Sequence, residues 1–232
     1  SFMKNYLNKF ELNGKVALVI GGAGTIGQEV CKAFATAGAK TIIIDKNGKA
    51  GKSLQREMVI AGYDAVFKKM DFVNIQSLEK NFSLILRHFK NIDIYINCAY
   101  PHTSDWGKSS FGKVTARRFK KNIEIQMISS AWTSRLVAES MAKKKISGSI
   151  IHIGSIYGIV GQDLSIYKGT KMNENMTYSM IKGGIINLTR QMASYYGKYN
   201  IRVNTLCPGG IRGGLAGRRK TQEKTFIKNF NN

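Results

Sequence analysis

The chain has 232 residues, 43% of them hydrophobic, which is enough for one sizeable core in a single domain over 1–232 and leaves no room for a large second one. No apolar run reaches the ~20 residues that cross a bilayer, and Ser1-Phe-Met-Lys-Asn-Tyr6 lacks the apolar stretch of a secretory signal, so a soluble, cytoplasmic protein without a membrane partner is expected. The formal charge of +22 would suit a nucleic-acid binder, yet it is mostly lysine spread from Lys4 to Lys228, with small clusters at Lys143–Lys145 and Arg218–Lys220 and no aromatic-interleaved basic stripe.

Lys15 to Ile20 is a short apolar run that ends in Gly21-Gly-Ala-Gly-Thr-Ile-Gly27, and Gln28 to Ala37 follows with helical periodicity and Gly38 as its stop. Thr41 to Asp45 reads as a second strand, Gly51 to Ala61 as a helix and Ala65 to Lys69 as a third strand ending at Asp71. The alternation continues with a helix over Ile75 to Phe89, a strand over Ile92 to Asn97, one or two long helices from Thr115 to Lys144 and a strand over Ser149 to Ile153. Asn175 to Tyr196 is a further helix and Ile201 to Leu206 a sixth strand, after which 209–232 is a basic tail read as irregular and without a seventh strand. Continuous apolar strands alternating with helices predict an α/β, Rossmann-like, doubly wound parallel sheet in three layers, ordered 3-2-1-4-5-6.

Gly22-Ala-Gly24-Thr25-Ile26-Gly27 fits G-x-G-x-x-G between a predicted strand and helix, the context that makes it a dinucleotide-binding turn. The glycines let the backbone approach a pyrophosphate, whose charge the helix N-terminus receives. Asp45 ends the next strand, 18 residues after Gly27, where a carboxylate accepts from both adenine-ribose hydroxyls and repels a 2′-phosphate. This favours NAD, while the neighbouring Lys46 leaves NADP tolerable.

Tyr178 and Lys182 stand about one helical turn apart and so share a helix face. A cation beside a phenol favours the phenolate, which is how a tyrosine becomes able to exchange a proton near neutral pH. The three cysteines, Cys31, Cys98 and Cys207, are odd in number, scattered and without ligand spacing, so neither a disulfide framework nor a metal site is expected. His88 and His152 fall where a structural role suffices; His102 alone lies in a loop on the substrate side.

Together these features resemble the short-chain dehydrogenase/reductase family from about Lys15 to Gly210. Gly21, Thr25 and Gly27 lie where the family's TGxxxGxG motif falls, with Ile20 and Thr25 as departures for which Gly22 and Gly24 compensate. Asp71, with Phe72 beside it, matches the acidic residue near the adenine. Asn97-Cys-Ala99-Tyr100 resembles the Asn-Asn-Ala-Gly segment with the glycine lost, and Pro208-Gly209-Gly-Ile211 resembles the loop that meets the nicotinamide carboxamide. Ser155 closes the strand that ends in the family's catalytic serine.

The resemblance implies hydride transfer between a sugar-like alcohol or ketone and the nicotinamide. Tyr178 would be the general acid or base. Lys182 would hold the ribose and lower the phenol's pKa, and Ser155 would hydrogen-bond the reacting oxygen. The family's catalytic Asn on the long helix is matched here by Glu124, with Asn122 almost on the opposite face. The resemblance further implies a homodimer or homotetramer, and a small-molecule substrate that the positive charge would let be phosphorylated.

Asn-Cys-Ala-Tyr-Pro101, Ser-Ile-Tyr-Gly158 and a long Ser155-to-Tyr178 interval are similar to the flagellin-modification protein A branch, which is associated with bacterial surface-sugar and nonulosonic acid synthesis. The extra residues of that interval would fall over the substrate pocket, as a lid or as a plain surface loop. Two other readings stay open. Gly21, Gly24 and Gly27 also fit the GxxGxxG of extended-type sugar-nucleotide epimerases and dehydratases, and Glu124 with the high charge suits a non-catalytic cofactor- or polyanion-binding protein.

Overall fold

Runs of isoleucine and valine, whose branched side chains pack well on a pleated surface, become the strands of the computed structural model, which describes residues 6–211 and 220–231. The strands are β1 (Val16–Ile20), β2 (Lys40–Asp45), β3 (Ala65–Lys69), β4 (Ile94–Asn97), β5 (Ser149–Ile153) and β6 (Arg202–Leu206). All pair in parallel in the order β3-β2-β1-β4-β5-β6. The order reverses between β1 and β4, so a crevice opens there at the carboxyl ends of the strands.

Alternation along each strand builds two cores. Leu18, Ile20, Ile42, Ile44 and Ile150 point to one face and meet α3 (Ile75–His88), α5 (Ser129–Lys143) and α6 (Met176–Tyr196) through residues such as Leu78, Val137 and Met192. Val19, Ile43, Phe67 and Ile96 point to the other, against Cys31 of α1 (Thr25–Thr36) and Leu54 and Met58 of α2 (Gly48–Ile60). Leu18, Ile42 and Ile44 are wholly buried, each contributing roughly 1.5–3 kcal/mol. The result is the three-layered, doubly wound parallel sheet that the alternation predicted.

The long helical region is one rod with a defect. A π-helical stretch, Ile123–Ile128, interrupts it between α4 (Ala116–Asn122) and α5. The tail is not irregular throughout: Lys220–Phe230 forms α7. Phe226 and Phe230, four residues apart, share a face, and Phe226 stacks on Tyr167 at 6.1 Å while Asn229 Nδ2 donates to the carbonyls of Ile166 and Lys168. Such apolar spacing is hard to see inside so basic a segment, and Arg218 and Arg219 of its cluster lie outside the described residues. Among the described residues no helix is long and apolar enough to cross a membrane, and no strand follows β6.

Candidate active site

A cavity of about 630 Å³ follows the crevice at the carboxyl ends of the strands, a size suited to a large cofactor. At one end it is walled by Asp45, Lys46, Asp71, Phe72 and Val73; at the middle by Gly21, Gly24, Thr25 and Ile26; at the other end by Ala99, Tyr178, Lys182, Pro208, Gly209 and Ile211. Most of the expected binding residues therefore share one surface. Gly22 and Gly27 are buried inside the turn, while Asn97 and Ser155 stand behind the wall.

The turn after β1 depends on Gly21. Its φ is +70°, and a Cβ there would lie 2.5 Å from the backbone nitrogen of Ala99, so only glycine lets the first and fourth strand-end turns touch. Asn97 shapes the opposing turn, its Oδ1 accepting from Ala99 N at 3.0 Å. Gly24 caps α1 without a side-chain acceptor, which leaves the N–H groups of the first turn facing the cavity for an anion. Asp45 accepts from Ala23 N at 3.1 Å through Oδ2 and from Asn47 N at 2.9 Å through Oδ1. Those two bonds fix the carboxylate and leave its remaining lone pairs for hydroxyl donors.

Tyr178 is delivered by the start of α6, where Asn175 Oδ1 accepts from Tyr178 N at 2.9 Å as the cap. The loop after β5 lies directly on that helix: a Cβ at Gly158 would come within 2.7 Å of the Lys182 carbonyl carbon. This contact holds Ser155 beside Tyr178, and the two hydroxyls interact. Ser155 Oγ also accepts from Tyr157 N at 3.2 Å, and Ile156 N donates to the Pro208 carbonyl at 3.2 Å, tying the serine turn to the loop at the far end of the cavity.

The electrostatics differ from the sequence expectation. Burial raises the Tyr178 phenol above its ordinary range, opposed by the Ser155 hydrogen bond, and Lys182 is not what shifts it. The Lys182 ammonium is drawn instead to the Ile153 carbonyl at 2.8 Å, leaving it 5.6 Å from the centre of the Tyr178 ring. Burial lowers Lys182 itself to about 8.

Glu124 does not reach the site. It lies on the π-helical stretch, is 39% exposed and pairs with Lys121 at 3.0 Å. Asn122 is fully buried and works elsewhere: its amide donates to Thr103 Oγ1 and accepts from Thr103 N, pinning the loop that follows β4. The inward polar residue of the stretch is Gln126, buried with its Nε2 unpartnered. Its place is not evident from the sequence, because an α-helical register cannot anticipate a π turn.

Tyr100, marked in the sequence only as the residue in place of the family's glycine, lines the cavity, and Trp106, marked by no motif, stands beside it. Both rings lie against Tyr178, at 5.9 and 6.5 Å between centres. Cys31 is a buried core residue as expected, whereas Cys98 lines the cavity, and burial holds both thiols up near about 12. No cluster of potential metal ligands occurs among the described residues.

Residues 15–224 match the model of one known family, short chain dehydrogenase. The chain belongs to the short-chain dehydrogenase family. This dehydrogenase is 29% identical over 206 residues to the post-translational flagellin modification protein A of Campylobacter coli, covering 86% of this chain and 78% of that protein. It is 27% identical over 198 residues to the L-fucose dehydrogenase of Oryctolagus cuniculus, covering 85% of this chain and 63% of that enzyme. Among solved structures, a short chain dehydrogenase from Leptospira borgpetersenii with bound NAD+ superimposes with a TM-score of 0.76 at 26% identity, over 99% of this chain and 80% of that one. As a short-chain dehydrogenase the protein is an oxidoreductase.

Proposed function

We propose that this dehydrogenase moves hydride between NAD and a sugar-like alcohol or its ketone. The observation that carries the reading is the meeting of Tyr178 and Lys182, with Ser155 bonded to the phenol from behind the wall, at one end of a single cavity whose other end presents Asp45. The residues fit a dinucleotide: an uncapped helix N-terminus lies mid-cavity, an acidic acceptor stands at the adenosine end, and an ammonium stands at the reacting end. When bound, the nicotinamide supplies the hydride acceptor or donor.

Tyr178 takes the alcohol's hydroxyl proton as the carbinol hydride departs, and returns a proton to the carbonyl oxygen in the reverse direction. Ser155 presents a preorganised hydroxyl to that oxygen and to the phenol. Burial raises the Tyr178 phenol in the cofactor-free protein, so the resting site holds the phenol in its protonated form. Lys182, fixed by Ile153, is available to the nicotinamide ribose hydroxyls.

The sugar assignment draws on the likeness to the fucose dehydrogenase, and a place in bacterial surface-sugar synthesis, including flagellin glycans, draws on the likeness to the flagellin modification protein. The net charge of +22 suits an anionic or phosphorylated sugar. A homodimer or homotetramer in a cytoplasmic setting completes the reading.

The test is titration with NAD and NADP followed by cofactor reduction or oxidation against a panel of sugars, phosphosugars and nucleotide sugars. Tighter NAD binding and turnover of a sugar are expected, and Asp45→Ala should narrow the cofactor preference. Tighter binding of NADP would overturn the NAD assignment, since Lys46 also lines that end of the cavity.

A further inference from the structure

The loop between β4 and α4 carries three aromatic side chains towards the reacting end of the site. Tyr100 is 47% exposed and lines the cavity. Its ring stands at 88° to that of Tyr178, and Trp106 stands at 73° to the same ring. Tyr100 and Trp106 meet at 6.1 Å, edge to face, and His102 stacks on Trp106 at an interplanar angle of 20°. The rings thus rise as walls beside the phenol.

Tyr100 is exposed and Trp106 half-buried beside it, and the loop that carries them is braced. Arg118 Nε donates to Asp105 Oδ2 at 2.6 Å and its Nη1 donates to the carbonyls of Lys108 and Lys113. Thr103 is fixed from both sides, by Asn122 and by its own bond to Asp105 Oδ1 at 2.7 Å. A loop with that much polar bracing presents its aromatic faces preorganised, as a binding wall requires.

We propose that Tyr100 and Trp106, backed by His102, form a stacking subsite that takes the C–H face of a hexopyranose ring and so determines specificity for cyclic sugars. A pyranose offers a flat array of C–H bonds to an aromatic plane and keeps its hydroxyls at the rim, where Tyr178 stands. An open-chain polyol of the same composition has no such face. The proposal rests on the sugar-dehydrogenase reading given above and narrows its substrate class.

The chain has two tryptophans, so Trp132→Phe leaves Trp106 as the lone indole reporter. That cofactor-free variant is titrated with L-fucose, D-galactose and N-acetyl-D-glucosamine and with the three matching alditols, following indole fluorescence. At least one pyranose should give a saturable change, with its alditol roughly 10-fold weaker or more. Trp106→Ala should raise KM for that pyranose by roughly 10-fold or more, with kcat within about threefold and NAD affinity unchanged, and Trp106→Phe should restore most of the loss. Equal responses to ring and alditol, no response to any pyranose, or an equal loss of NAD affinity would overturn the subsite. A Trp106 response that survives while no sugar is turned over would instead defeat the sugar-dehydrogenase reading and leave the subsite standing.

Discussion

The Lys182 ammonium donates to the backbone carbonyl of Ile153 at 2.8 Å, so the last residue but one before Ser155 fixes the cation one helical turn beyond Tyr178. Serine, tyrosine and lysine are thereby set by one junction between the end of β5 and the first turns of α6.

Because burial brings Lys182 down to about 8, its charge is present below that pH and lost above it. NAD affinity measured by calorimetry at stepped pH should therefore fall as pH rises through about 8 and level off near the affinity of Lys182→Met. Lys182→Met should bind NAD more weakly, with that limb absent; a limb that persists in the variant would assign it to another group.

Tyr178→Phe keeps the ring and its aromatic neighbours while deleting the group proposed to move the proton. Folding and NAD binding should stay nearly normal, and hydride transfer should fall by ~100-fold or more. Ser155→Ala should also lower kcat with little effect on NAD affinity. Near-wild-type turnover by Tyr178→Phe on an identified substrate would sink the mechanism.

Gly21→Ala should be far more harmful than its size suggests. It forces a side chain into a backbone conformation at φ +70° and into the Ala99 nitrogen, with a cost of roughly 1–2 kcal/mol from the left-handed geometry alone. A lowered Tm together with loss of NAD binding in the same preparation is expected, whereas unchanged thermal unfolding would show that the two turns can separate freely.

His152 is buried in β5, its Nδ1 bonded to Thr189 Oγ1 at 2.8 Å, and burial lowers it from 6.5 to about 4. Below pH ~6.5 the unfolded chain takes up a proton that the folded protein refuses, so stability declines as pH falls towards 4, by about 3 kcal/mol in all. His152→Phe should flatten that part of the acid limb in denaturant titrations. Above pH 7 the imidazole is neutral in both states and contributes no slope.

The sheet was legible because its strands are short apolar runs with turn residues between them: β3 and β5 fall at the residues the pattern marked, Ala65–Lys69 and Ser149–Ile153. The dinucleotide turn and the Tyr178–Lys182 pair were legible because each is local, a strand-to-helix glycine turn and one helical turn. What escaped was long-range or irregular. The π-helical stretch carries Glu124 to an exposed pair with Lys121, and no residue-type rule marks where such a stretch starts. The direction of the Tyr178 shift depends on burial and on Ile153 taking up Lys182, neither visible in a four-residue spacing. The interval between Ser155 and Tyr178 packs against Ser109, Phe111 and α7 and lines none of the cofactor-sized cavity, while its Tyr157 comes near enough to Tyr178 to interact with it.

That packing makes a continuous line of contacts from the Pro208–Ile211 loop to the interval. A Cβ at Gly210 would meet the Phe230 ring at 2.6 Å; Phe230 lies 5.9 Å from Phe226, and Phe226 stacks on Tyr167. Two stretches remote in sequence thus rest on the same face of α7, so loss of α7 is expected to open Pro208–Ile211 and Leu164–Tyr167 together. Hydrogen exchange would read this as matched protection across both stretches, gained or lost together.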